Sequence, residues 1–155
     1  MIITKAEYID LRQILNLQYL AYQSEAKLLN DFSIPPLRQT IEEVKIEYEK
    51  GIFLKAVDEN GEIVGSVRAY KDNNSAYIGK LIVLPEKQGN GIGTELLRTI
   101  EHECVASRYE LFTSNKSVRN IQLYERLGYV KFKEQKIADG LVFIYLEKHS
   151  DNLEI

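Results

Sequence analysis

Apolar residues recur at steps of three and four from Tyr8 through Leu11, Leu15, Tyr19, Tyr22, Ala26 and Leu29, which predicts one amphipathic helix. Before it, Met1 to Thr4 reads as a short strand, and Thr4-x-x-Glu7 has the form of a capping box at the helix start. Pro35 and Pro36 cannot continue a helix and end this region. A second box, Thr40-x-x-Glu43, opens a helix whose inner face is Ile41, Val44 and Tyr48 and whose stop is Gly51. The period then changes to two. Strands are predicted over 52–57, 62–70 and 76–84, with the Asn60-Gly61 hairpin signal after the first, so this part reads as an antiparallel meander.

Helical spacing returns at Ile92, Leu96, Leu97, Ile100 and Cys104. A strand over 109–114 follows, and strand–helix–strand suggests a parallel crossover. Ser117 is placed to cap a last helix, 118–127, stopped by Gly128. Two final strands, 129–137 and 141–148, are joined through Ala138-Asp139-Gly140. The order β-α-α-β-β-β-α-β-α-β-β is a mixed α/β domain over residues 1–148: about seven strands, an antiparallel N-terminal meander and about four flanking helices. Residues 149–155 are a polar tail expected to fray.

Composition narrows the class. A chain of 155 residues, 45% hydrophobic and 28% charged, suits one soluble domain with its own core. No apolar run approaches the roughly 20 residues of a membrane span, and the N-terminus lacks a signal-peptide layout; both point to a cytoplasmic protein without a membrane partner. The single Cys104 excludes an intrachain disulfide framework, and one Cys with two distant His argues against a metal site. A net charge of −3 leaves no chain-wide basic footprint for nucleic acid.

Three glycines, Gly89, Gly91 and Gly93, follow the strand that ends at Pro85, and a helix begins near Gly91. A side-chain-free loop leading into a helix N-terminus cradles phosphate, because the first N–H groups of the helix are unpaired and carry partial positive charge. The dinucleotide fingerprint fails: counted from Gly89 its third glycine falls on Thr94, and counted from Gly91 on Leu96. The Gly-Lys-Ser/Thr ending of the Walker loop is absent as well.

The pattern that fits is Gln88-Gly89-Asn90-Gly91-Ile92-Gly93 preceded by Val83-x-Pro85. A second block, residues 117–130 with Leu123-Tyr124-Glu125-Arg126-Leu127-Gly128-Tyr129, follows about 30 residues on. With both, the chain resembles the GNAT superfamily of acetyl-CoA-dependent N-acetyltransferases, and the element order matches over about residues 1–148. The resemblance implies that Gln88, Gly89, Asn90, Gly91, Ile92, Gly93 and the Thr94 amide wrap the coenzyme A pyrophosphate. It implies a bulge in Leu81–Ile82–Val83 that splays this strand from the one at 109–114, with pantetheine lying in the V. Asn120 and Tyr124, four apart on one helix face, would look at the pantetheine arm and the thioester sulfur.

The reaction implied is acetyl transfer from acetyl-CoA to a primary amine by direct attack in a ternary complex, without a metal. A free alkyl amine with pKa near ~10 must lose a proton first. A main-chain N–H in Leu81–Val83 would stabilise the oxyanion, and Tyr124 would protonate the leaving sulfur. The chain departs from the family pattern in two places. The central strand carries no Asp or Glu, so no base is named: Glu25 and Asp31 are placed to attract a cationic acceptor, and Tyr77 or an ordered water to relay its proton; and Ser117 stands where many relatives carry Asn.

The acceptor, a small molecule or a peptide amine, is open, as is the choice of monomer or homodimer. Two other readings stand beside transfer: a catalytically inactive acyl-CoA-binding sensor or interaction module of the same fold, and a phosphate module for another nucleotide. For single residues the plain reading of Cys104 is a small core residue, and His102 and His149 read as solvated.

Overall fold

The computed structural model describes residues 1–150, and the last five residues of the predicted tail lie outside them. One seven-stranded sheet organises the chain, in the order β1-β2-β3-β4-β5-β7-β6. Its strands are β1 (Ile2–Lys5), β2 (Ile52–Val57), β3 (Ile63–Asp72), β4 (Ser75–Val83), β5 (Arg108–Ser114), β6 (Val130–Ala138) and β7 (Leu141–His149). Every neighbouring pair is antiparallel except β4 with β5. The helices are α1 (Leu11–Ala21), α2 (Gln23–Leu29), α3 (Pro35–Arg38), α4 (Ile41–Lys50), α5 (Ile92–Glu103) and α6 (Val118–Arg126).

Four expectations need correction. The first helical region is not one helix: α1 ends at Ala21 and α2 begins at Gln23, with a turn at Tyr22 between them. Thr4 does not cap it. Thr4 lies in β1 opposite Lys55, and Glu7 with Asp10 forms the box, at the head of a single 3-10 turn. The two prolines start a helical turn rather than end one: α2 stops at Leu29 with a left-handed Asn30 cap, and Pro35 at the first position of α3 loses no hydrogen bond there. The predicted tail is shorter: His149 belongs to β7, and the Ser150 N–H donates to the Ser107 carbonyl. The box at Thr40 and Glu43 forms as expected.

The sheet has a core on each face. On one, Leu96, Leu97 and Ile100 of α5 pack with Val64, Val67, Ile78, Leu111, Ile144, Tyr124 and Tyr129. On the other, Leu11, Ile14 and Leu15 of α1 and Val44 of α4 pack with Phe53, Ile63 and Ile82. Cys104 is a buried core residue on the α5 face.

The parallel ladder between β4 and β5 is short. It comprises Ser75↔Arg108, Ala76↔Tyr109 and Tyr77↔Glu110. Beyond Tyr77 the strands part, β4 running on to Val83 and β5 to Ser114. The cause is a bulge in β4. Ser66 of β3 pairs with Ile82 and Arg68 pairs with Gly79, so β4 carries surplus residues between them. Lys80 takes up the excess with a left-handed φ of 51°. The bulge therefore sits at Lys80–Leu81, sharing only Leu81 with the predicted Leu81–Val83, because Ile82 and Val83 keep regular partners in β3.

Candidate active site

The glycine loop closes the mouth of this split. After β4 a 3-10 turn, Pro85–Lys87, leads to Gln88, and Asn90 Nδ2 donates to the Lys87 carbonyl at 3.0 Å. Gly89 and Gly91 take φ of 84° and 81°, conformations that favour glycine, and a Cβ on either would meet nothing within 4 Å. The loop is thus shaped by backbone alone around open space. Gly91 is the N-cap of α5, and the first bond back into the helix is the Glu95 N–H to the Gly91 carbonyl, 3.1 Å. The N–H groups of Ile92, Gly93 and Thr94 precede it and lie in the first turn, the position that attracts anions. Ile92 buries its side chain in the core, so only its main chain is available to a ligand. A Cβ on Gly93 would lie 3.6 Å from Leu123 Cδ2 and 3.9 Å from Val83 Cγ2, which places the loop against α6 and the end of β4.

Tyr124 is fixed from its C-terminal side. The Tyr129 N–H donates to the Tyr124 carbonyl (3.0 Å) and the Gly128 N–H to the Glu125 carbonyl (3.1 Å), the paired bonds of a Schellman end, with Gly128 at φ 98°. The Tyr124 and Tyr129 rings, 6.2 Å apart, supply its apolar contact. Tyr124 is buried, and its hydroxyl has no hydrogen bond among the described residues. Burial, with the charge of Glu25 second, raises its phenol pKa. Asn120, one turn earlier, is exposed at the start of α6.

Glu25 comes from the far end of the chain. The turn between α1 and α2 carries it to α6, where its Oε1 accepts from Ser117 Oγ at 3.2 Å. Ser117 is the N-cap of α6, but its hydroxyl is spent on Glu25 rather than on the helix. Burial pushes the Glu25 carboxyl up, while the Ser117 bond and the charge of Lys80 pull against it. The same carboxylate acts on Tyr22, whose phenol is raised first by burial and then by Glu25. Of the residues expected to attract the acceptor or relay its proton, Glu25 is the one whose charge acts on Tyr124. Asp31 is instead held by Ser33, and Tyr77 stacks on Tyr70 with ring centroids 5.2 Å apart.

A buried polar network builds the wall on the α1 side. Arg68 donates to Glu47 Oε1 and to Gln18 Oε1, both at 2.8 Å, and its guanidinium lies 4.4 Å from the centre of the Phe53 ring. Gln18 Nε2 reaches the Pro36 carbonyl (2.8 Å) and Gln39 Oε1 (2.9 Å). Gln39 also bonds Glu47 and receives Tyr19. The segment after α2 is thereby tied down onto α1, α4 and β3. Against it opens a cavity of about 270 Å³ lined by Pro35, Arg38, Gln39, Glu43 and Lys80. Sequence reasoning missed Lys80; its signal was the one charge inside the apolar run Ala76–Leu84. A larger cavity, about 400 Å³, lies by Gly51, Ala69 and Cys104, away from both motifs. Among the described residues no helix is long and apolar enough to cross a membrane, and no group of three His, Cys, Asp or Glu could hold a metal ion.

Residues 21–150 match the family model described as an acetyltransferase (GNAT) domain. The UPF0157 protein YqkA of Bacillus subtilis (strain 168) is 28% identical over 132 residues, 84% of this chain, and the chain spans 38% of that relative's length. Two solved structures share the fold. One, smu.2055 from Streptococcus mutans UA159, has a TM-score of 0.80 at 15% identity, covering 96% of this chain and 99% of that one. The other is a GNAT superfamily phosphinothricin acetyltransferase from Sinorhizobium meliloti in complex with AcCoA. Its TM-score is 0.75 at 20% identity, over 96% of this chain and 87% of that one.

Proposed function

Because the chain belongs to the GNAT acetyltransferase family, we propose that it moves an acetyl group from acetyl-CoA to a primary amine by direct attack in a ternary complex. One observation carries the reading: the β4–β5 ladder ends at Tyr77, and the glycine loop that follows the freed end of β4 packs at Gly93 against Val83 and against Leu123, the neighbour of Tyr124. Acetyl-CoA supplies an acyl group activated as a thioester. Its pyrophosphate fits the loop from Gln88 to Thr94, where two left-handed glycines leave room and the first N–H groups of α5 are free of helical partners. The separated edges of β4, at Leu81 to Val83, and of β5 offer main-chain groups to the extended arm, and Asn120 flanks it. The relative from Sinorhizobium meliloti, which has this fold, was solved with AcCoA.

This chain's residues divide the remaining work. The acceptor amine enters from the α1 side, where Glu25 takes its proton. A carboxyl raised by burial is better matched to that task than a solvated one. Tyr124 holds a proton on its unbonded hydroxyl for the departing thiolate, and a phenol raised by burial keeps that proton at neutral pH. A main-chain N–H beside the Lys80–Leu81 bulge is available to the carbonyl oxygen as charge develops on it.

Thermal unfolding with acetyl-CoA, CoA, ADP and NAD tests the reading. A ligand at about 100 times its Kd adds roughly 2.7 kcal/mol, a rise of roughly 5–10 °C in Tm for a domain of this size. The expected result is a rise with acetyl-CoA and CoA and none with NAD. No rise at millimolar acetyl-CoA sinks the proposal. A rise without CoA release on any amine would leave a coenzyme-binding module in place of the enzyme.

A further inference from the structure

Lys80 is an unusual residue for the middle of a sheet. It occupies the bulge of β4 in a left-handed conformation, its side chain is half-buried, and it makes no hydrogen bond or ion pair among the described residues. Its ammonium borders the cavity of about 270 Å³ with Arg38. The carboxylates nearby have other duties. Glu43 accepts from the Thr40 N–H and hydroxyl, and Glu47 accepts from Arg68 and Gln39. Glu25 accepts from Ser117. Behind them Arg68 is 5% exposed, and its Nε–H is buried without a partner among the described residues. On this wall, among the described residues, Lys80 and Arg38 make no ion pair and one Arg68 N–H lacks a hydrogen-bond partner, although Arg68 is paired with Glu47 and the chain as a whole is acidic.

An unpaired, partly desolvated ammonium is costly unless something completes it. Burial and the nearby Arg68 both disfavour the charge on Lys80, while Glu47 and Glu25 only partly restore it. An anion arriving in the cavity supplies what is missing. The amine of the same molecule has its own destination at Glu25, which joins α2 to the start of α6 beside Tyr124. From this arrangement, and resting on the acetyltransferase reading above, we propose that the acceptor is an amino acid, its carboxylate received by Lys80 and Arg38 and its amine presented to Glu25. Polycationic amines meet the wrong charge at the cavity and are excluded by it.

The test uses the CoA-loaded protein and reads Tm against the twenty L-amino acids, their carboxamides and spermidine. At least one free amino acid should raise Tm further, while its carboxamide and spermidine should not. Lys80→Met should weaken that amino acid by about ten-fold to a hundred-fold, the scale of a lost charge-assisted hydrogen bond, and keep the shift produced by CoA alone. Lys80→Arg should retain most of the response. If Lys80→Met does not fold, Arg38→Met, at an exposed position, should lower the same affinity. Spermidine or a carboxamide binding as well as the free acid would overturn the proposal. So would an unchanged affinity in the methionine variants, or no response to any amino acid. Absence of a shift with CoA itself would defeat the acetyltransferase reading, and this one with it.

Discussion

Tyr124 and Glu25 show how one atom decides a side chain's use. The ring of Tyr124 is packed and its carbonyl is tied to Tyr129, yet its hydroxyl has no bond among the described residues. Tyr124→Phe keeps the packing and deletes only that hydroxyl. It should lower kcat about 10-fold to 1,000-fold with little change in the Kd of acetyl-CoA; steady-state kinetics beside a binding titration would check both. Glu25 makes a prediction about pH. Burial raises its folded-state pKa above the unfolded value, so the native state binds this proton more tightly. Stability then falls as pH climbs from the unfolded value through the folded one, and the base becomes competent over the same window. Glu25→Gln should flatten that part of the Tm–pH curve, melt higher than the wild type above it, and lose the acid limb of the kcat/KM profile.

Elements explain what was readable in advance and what was not. The Thr40 box, the Asn60-Gly61 turn and the apolar stripe of α5 are local signals, and each forms where its spacing places it. The break at Tyr22 leaves no such mark, because the period of three and four reports a buried face and runs on unchanged through a one-residue turn. The bulge misleads in another way. Gly79 is the residue in that strand suited to a left-handed φ, but pairing with Arg68 keeps it in register and the strain falls on Lys80. The α6 terminus belongs with the readable set, since a helix followed by Leu-Gly-Tyr predicts its own stop. Gly128→Ala puts a Cβ on a φ of 98°, at a cost of roughly 1 kcal/mol. Tm should fall by about 3 °C, and kcat should fall with it, since the bonds of that turn hold Tyr124.

At the scale of the molecule, the two faces of the sheet have separate tasks. The α5 face holds the glycine loop and the Tyr124 side chain, and the α1 face holds the polar wall and the Lys80 cavity. They communicate only where the sheet is open. Composition could not show this, because a net charge of −3 averages away a cationic cavity a few residues across. The site was legible as two motifs. On the other side Glu25 was a candidate from the sequence, but its neighbours Arg68 and Lys80 were not, because they come from distant stretches that only tertiary packing brings near it.

The short ladder between β4 and β5 has a mechanical meaning. Three residue pairs form the ladder between a four-stranded leaf and a three-stranded one, with the α5 core packed against both leaves beneath it. The seam is the spine of a book, and on the proposed reading acetyl-CoA laid along the gutter is its binding thread. Amides at the inner margins of the two leaves should exchange with solvent sooner than those deeper in either leaf, and slow down once the gutter is filled. A cell that ran short of the thread would hold the same chain in a looser volume, more open to proteases, so supply of the ligand would govern how long each copy of the protein lasts.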